Sequence, residues 1–278
     1  MRAIGGALVL ATLAIAAPAL VTSVRAQDAD QLWNWCFGSA SDDDTIKGCD
    51  AVIGTKRGTA ENQAGAYFNR AVARRNKGQL AEALQDYNES IKLNSTDADA
   101  FYNRGVVEQS LGQIDAALAD YDAAIKLKPA FPQAFNNRGV MRRLKKEYEA
   151  AIKDFDQALR LEPRHAGAYN NRCTARAIVG QLQEALADCD ESLKFRPNSA
   201  DALASRGLAN LKLGQLDAAL RDYDAALKLS PSLAEALYGR GVAKRKKGDT
   251  AGGDADIAAA KAQRKDVAEL YASWGVSP

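Results

Sequence analysis

The stretch Ala98–Phe131, ADAFYNRGVVEQSLGQIDAALADYDAAIKLKPAF, decides the fold. Phe101 and Gly105 lie four apart, so they share one face of a first helix. Gly112 ends that helix, as glycine commonly does. Asp115 falls in the first turn of a second helix, where a negative charge suits the helix dipole. Ala117, Tyr121 and Ala124 then follow at spacings of four and three, again on one face, and Pro129 stops the second helix. The small residues let the two helices approach closely, and the aromatic fills the space beside them.

Working outward, the same pattern returns every 34 residues. The position of Gly105 recurs as Ala71, Gly139, Cys173, Gly207 and Gly241 with no insertion. An unbroken period of this length marks a stacked-repeat architecture, in which each unit buries its apolar face against its neighbours. Six units follow: 64–97, 98–131, 132–165, 166–199, 200–233 and 234–267. The last is degenerate, with Gly253 for the early alanine and Ile257 for the aromatic. Residues 27–63 read as an N-terminal cap and 266–278 as a C-terminal capping helix with Val267, Leu270, Tyr271 and Trp274 on one side. The expected fold is all-α, an α-α superhelix of six helix pairs between two caps.

These residues resemble the tetratricopeptide-repeat family over 64–265. Its large fourth residue is matched by Tyr67, Phe101, Phe135, Tyr169, Leu203 and Leu237. Its early small residue of the second helix is matched by Ala83, Ala117, Ala151, Ala185 and Ala219, and its aromatic by Tyr87, Tyr121, Phe155 and Tyr223. Asn-Arg-Gly and Asp-Tyr-Asp triplets give it the look of exported bacterial members. Lys146 departs from the pattern, standing where glycine would end a first helix, which strains that turn by about 1 kcal/mol.

Two ladders run through the units. Arg70, Arg104, Arg138, Arg172, Arg206 and Arg240 hold the seventh position, and Asp86, Asp120, Asp154, Asp188, Asp222 and Asp256 the twenty-third. The expected arrangement is Arg–Asp pairing within a unit or between neighbours, through two parallel hydrogen bonds that fix register. The second ladder is Asn69, Asn103, Asn137 and Asn171, broken by Ser205 and Gly239. In the resembling family the first helices line the concave side. The resemblance therefore implies a row of amides for a peptide backbone, the alternative being side chains that only meet water. Phe68 and Tyr102 give that side a partly apolar character. Arg75, Arg143 and Arg245 sit in basic clusters at the ends of first helices, where positive charge suits the helix dipole; the alternative is that they face the groove and favour an acidic partner. The Lys and Asn residues with which some family members clamp a chain terminus are missing. Phe68, Tyr102, Asn136, Asn170, Ala204 and Tyr238 replace the lysine; Val72, Val106, Val140, Thr174, Leu208 and Val242 replace the asparagine.

Residues 1–26 have the layout of a cleavable secretory signal: Arg2, an uncharged stretch from Ala3 to Val24, and Val24-Arg25-Ala26 before Gln27. The alternative is an uncleaved membrane anchor. No later stretch is long and apolar enough to span a bilayer. Cleavage lowers the formal charge from +2 to 0, which does not suit a nucleic-acid binder. Four cysteines in an exported chain suggest disulfides, with three pairings possible. The resemblance favours Cys36–Cys49 with Cys173–Cys189, because Cys173 and Cys189 take the small and aromatic positions that pack together in the family.

No catalytic constellation is legible. The one histidine, His165, follows Pro163 in an inter-unit loop, and no phosphate loop, HExxH helix or paired-cysteine metal motif occurs. The expectation is a non-enzymatic protein without cofactor, metal or small-molecule substrate, periplasmic or secreted, that binds a protein or peptide partner in the concave groove. The alternative is a membrane-anchored structural part of an envelope assembly, touching the membrane only if the signal segment stays uncleaved.

Overall fold

A computed structural model describes residues 18–56 and 58–278. Residues 1–17, which carry most of the expected signal segment, lie outside the described part. All regular structure among the described residues is helical. The chain divides into two compact units, Met1–Ser95 and Thr96–Pro278.

The first unit holds α1 (Pro18–Phe37), α2 (Asp42–Thr55), α3 (Ala60–Asn76) and α4 (Leu80–Leu93). Helix α1 runs through the expected cleavage point after Ala26. No described helix is long and apolar enough to cross a membrane. Ser41 caps α2 by accepting from Asp44 N, and Thr59 with Asn62 forms a reciprocal capping box on α3. A disulfide joins Cys36 of α1 to Cys49 of α2. Its neighbour Gly48 lets the helices touch: a Cβ there would stand 2.4 Å from the Leu32 carbonyl oxygen. The segment ahead of residue 64 is thus a helix pair of its own.

The second unit holds five helix pairs and a final short helix. The pairs are α5 (Ala98–Ser110) with α6 (Ile114–Leu127), α7 (Pro132–Leu144) with α8 (Tyr148–Leu161), α9 (Ala166–Val179) with α10 (Leu182–Phe195), α11 (Ala200–Lys212) with α12 (Leu216–Leu229), and α13 (Ala234–Lys246) with α14 (Thr250–Gln263). Helix α15 (Val267–Ser273) ends the fold. The second helices bury their aromatic completely: Tyr121, Phe155 and Tyr223 are inaccessible. Each such ring contributes about 1.5–3 kcal/mol by leaving water. Gly139 shows why a small residue must face it, since a Cβ there would stand 2.6 Å from Phe155 Cε1. At the same register in the next pair the contact is covalent, a Cys173–Cys189 disulfide with Cα atoms 5.4 Å apart.

The turn between paired helices needs a left-handed residue, and Gly112, Gly180, Gly214 and Gly248 supply it. Lys146 does so at φ 63°, carrying the same Glu147 N to Arg142 carbonyl bond that closes the other turns. His165 serves the fold, since its Nδ1 accepts from Ala168 N and caps α9.

Candidate functional site

The repeat arginines are braces. In the 132–165 pair, Arg138 grips Asp154 with Nε at 3.0 Å and Nη2 at 2.6 Å. Its third nitrogen, Nη1, reaches Asp122 of the preceding pair at 2.6 Å. Arg172, Arg206 and Arg240 repeat this on Asp188 and Asp156, Asp222 and Asp190, and Asp256 and Asp224. In the first unit Arg70 joins Asp86 and Asp50. So both alternatives read from the sequence hold together: one guanidinium pairs within its own helix pair and across to the one before. The first Asp of each Asp-Tyr-Asp triplet serves its own pair and the second serves the next. Hydrogen bonds that it donates to Asp222, against burial, hold the Arg206 guanidinium above its ordinary range.

A second basic group usually completes the buried aspartate: Arg74 on Asp86, Arg142 on Asp154, Arg176 on Asp188 and Lys244 on Asp256. In the 98–131 pair the equivalent residue is Glu108, a buried acid near Asp120. Burial first, then Asp120, push its carboxyl up to about 7. The sign reversal at that register was readable in the sequence.

The asparagine ladder is knitted into the protein. Asn69 donates to the Cys36 carbonyl at 2.9 Å, Asn103 to the Asp99 carbonyl at 2.8 Å, Asn137 to the Tyr102 hydroxyl at 3.2 Å and Asn171 to Asn136 Oδ1 at 3.0 Å. One amide donor of each is used internally, within its own helix or toward the preceding helix pair. Phe68 packs edge-on against Tyr87, and Tyr102 against Phe131 and Tyr121, so both aromatics serve the packing of their own units. Arg75 lies in the first unit and Arg143 in the second.

Arg143 is different from every arginine above. It lies in the last turn of α7, and among the described residues it forms no ion pair; its Nε is buried without a hydrogen-bond partner. Burial pushes its guanidinium below the ordinary range, partly offset by Tyr148 and Glu235. It lines a cavity of about 340 Å³ together with Asn170 and Thr174 of α9 and Leu208 of α11. Asn170 Oδ1 is likewise buried and unpartnered. Asn170 holds one of the replaced clamp positions; its register set it apart, but nothing in the sequence said that it would meet Arg143 in one cavity.

Helix α15 closes one side of this cavity through Leu270, Tyr271 and Trp274. Tyr271 is buried against Tyr238 with ring centroids 4.8 Å apart, and its hydroxyl donates to the Glu235 carbonyl at 2.7 Å. Lys212 Nζ ties the end of the helix down by donating to the Trp274 and Ile178 carbonyls, each at 2.9 Å. The C-terminal helix therefore does more than cover the last pair. It packs against α13 and α14 and is tied to the end of α11 by Lys212, at the two pairs where Ser205 and Gly239 interrupt the asparagine ladder.

Comparison with known proteins agrees with this architecture. A family model described as TPR repeat matches residues 71–112 and 211–248, and one described as Tetratricopeptide repeat matches 98–131 and 132–165. The chain therefore carries tetratricopeptide repeats in an all-α superhelical repeat fold. A tetratricopeptide repeat protein from Parabacteroides merdae ATCC 43184 is similar, with 18% identity, 90% of this chain and 100% of that chain covered, and a TM-score of 0.68. PilW, described as a widely conserved type IV pilus biogenesis factor, is 21% identical over 75% of this chain and 97% of its own, with a TM-score of 0.63. YrrB, described as a TPR protein with an unusual peptide-binding site, is 23% identical over 68% of this chain and 98% of its own, with a TM-score of 0.50. At these identities the likeness concerns the fold. A search of curated proteins returned no match. Tetratricopeptide repeats generally mediate protein–protein interactions on a scaffold that is generally non-catalytic, and no enzymatic family is indicated.

Proposed function

We propose that this chain is an exported scaffold of the bacterial envelope, periplasmic or secreted, that holds a segment of a partner protein against the first helices of its repeats. One observation carries the reading. The inner cavity of the second unit is lined by Arg143, which is in no ion pair among the described residues and whose Nε is buried without a partner, and by Asn170, whose Oδ1 is likewise unpartnered, while the ladder residues Arg138, Arg172, Arg206 and Arg240 are paired. Groups left unsatisfied in a folded interior cost stability, and a binding site is a common reason for their presence. PilW and YrrB add support by fold likeness, one named for pilus biogenesis and the other for a peptide-binding site. The asparagine ladder enters as the scaffold that positions α7 and α9, not as the contact surface itself.

Two measurements test the proposal. Random peptides displayed on phage and selected on the purified chain are expected to yield binders; selection that enriches nothing overturns peptide binding. Mass spectrometry of the protein recovered from an envelope fraction is expected to show Gln27 as the first residue. An intact N-terminus in that fraction favours the anchored alternative.

A further inference from the structure

The inner cavity has a chemistry specific enough to name what enters it. Two guanidinium groups line it, Arg143 and Arg264. Arg264 is already neutralised, with Nη1 2.7 Å from Glu235 and Nε 2.9 Å from Asp266. Arg143 is not. Asp201 also lines the cavity, but its side chain is exposed. Glu235 lines the cavity as well and is held by Arg264, so Arg143 is the guanidinium of this cavity that is in no ion pair among the described residues, which suits a carboxylate. Beside Arg143, Leu144 lines the same cavity and is 53% exposed, the most exposed large apolar side chain among the described residues. On the α9 side, Asn170 Oδ1 lacks a donor. On the far side α15 closes the space.

Resting on the peptide-binding reading above, we infer that this cavity receives the side-chain carboxylate of one aspartate or glutamate in the partner segment. Arg143 anchors the carboxylate through charge-assisted hydrogen bonds. Asn170 Oδ1 accepts a backbone N–H of the segment, and an apolar residue next to the acid covers Leu144. An arginine held ready in this way lowers the stability of the free protein slightly and raises affinity when the carboxylate arrives. The recognised motif is therefore an acidic residue adjoining an apolar one, read by the second unit alone.

The test uses a phage library that displays random peptides between two fixed flanks, so that no peptide has a free C-terminus, selected on the full chain. Binders are expected to share Asp or Glu at one position with an apolar neighbour. By fluorescence polarisation, the best peptide is expected to lose about tenfold or more in affinity when its acid becomes Asn or Gln. Arg143→Met is expected to cause a similar loss, and the two changes together little more than either alone. Arg143→Lys is expected to recover part of the binding, and neither variant is expected to lower Tm. Binders without a shared acid, or equal affinity for wild type and Arg143→Met, overturn the carboxylate assignment while leaving peptide binding standing. Binders that appear only from a second library displayed with free C-termini overturn the side-chain assignment. Wild-type selections that enrich nothing from either library overturn the underlying reading instead.

Discussion

Two sets of arginines in this chain end in opposite conditions. Those at the seventh position of the 132–165 pair and its successors meet two carboxylates each, one within the pair and one in the pair before. Arg143, five residues beyond Arg138, meets none. The first set is geometry: a guanidinium fork between two aspartates fixes how far one helix pair is offset from the next. The second is capacity, a charge kept in a cavity with its partner still to come. The difference separates what holds the repeats together from what they hold.

The largest effect is expected from breaking the brace. Asp154→Ala leaves Arg138 and Arg142 facing an apolar gap, and removing one member of a buried pair costs about 3–5 kcal/mol. Thermal unfolding is expected to show a fall in Tm on the order of 10 °C. Replacing Cys173 and Cys189 together with alanine is expected next, at about 2–4 kcal/mol, because the bond both closes a chain loop and substitutes for the glycine–aromatic contact. If the double variant unfolds at the wild-type temperature, the bridge is not a brace.

A smaller effect of opposite sign belongs to Glu108. Its carboxyl, at about 7, binds its proton more tightly in the folded chain than in the unfolded one. That contribution to stability is full below the ordinary carboxylate range and is lost as pH rises through about 7. Glu108→Gln is therefore expected to raise Tm by about 2–4 °C at pH 8, the equivalent of about 1 kcal/mol, and to leave it nearly unchanged at pH 5. An equal rise at both pH values contradicts the burial of an ionised carboxylate as its cause.

The legible part of the molecule is the part that repeats. Gly105, Tyr121 and their equivalents carried the helix pairs and their packing faces, because each contact recurs at one spacing and its chemistry admits few substitutes. The Arg–Asp pairing was readable for the same reason. Asn137 and Asn171 could not be placed from the sequence, since their residue type fits a peptide backbone as well as it fits the preceding helix pair, and only coordinates show the bonds that they make. The cavity was not readable at all. It depends on Asn170 meeting Arg143 from another helix and on where α15 folds back, and neither follows from a 34-residue period. A single occurrence such as Trp274 lacks the internal repetition that makes a role visible in one sequence.

One paired measurement tests the central distinction most directly: Tm and affinity for the selected acidic peptide, compared in Arg138→Met and Arg143→Met. The account predicts that Arg138→Met lowers Tm on the order of 10 °C while its folded fraction still binds, and that Arg143→Met keeps its Tm and loses about tenfold or more in affinity. If Arg143→Met melts as early as Arg138→Met, or binds the peptide as wild type does, Arg143 is one more structural arginine and the cavity is not the site.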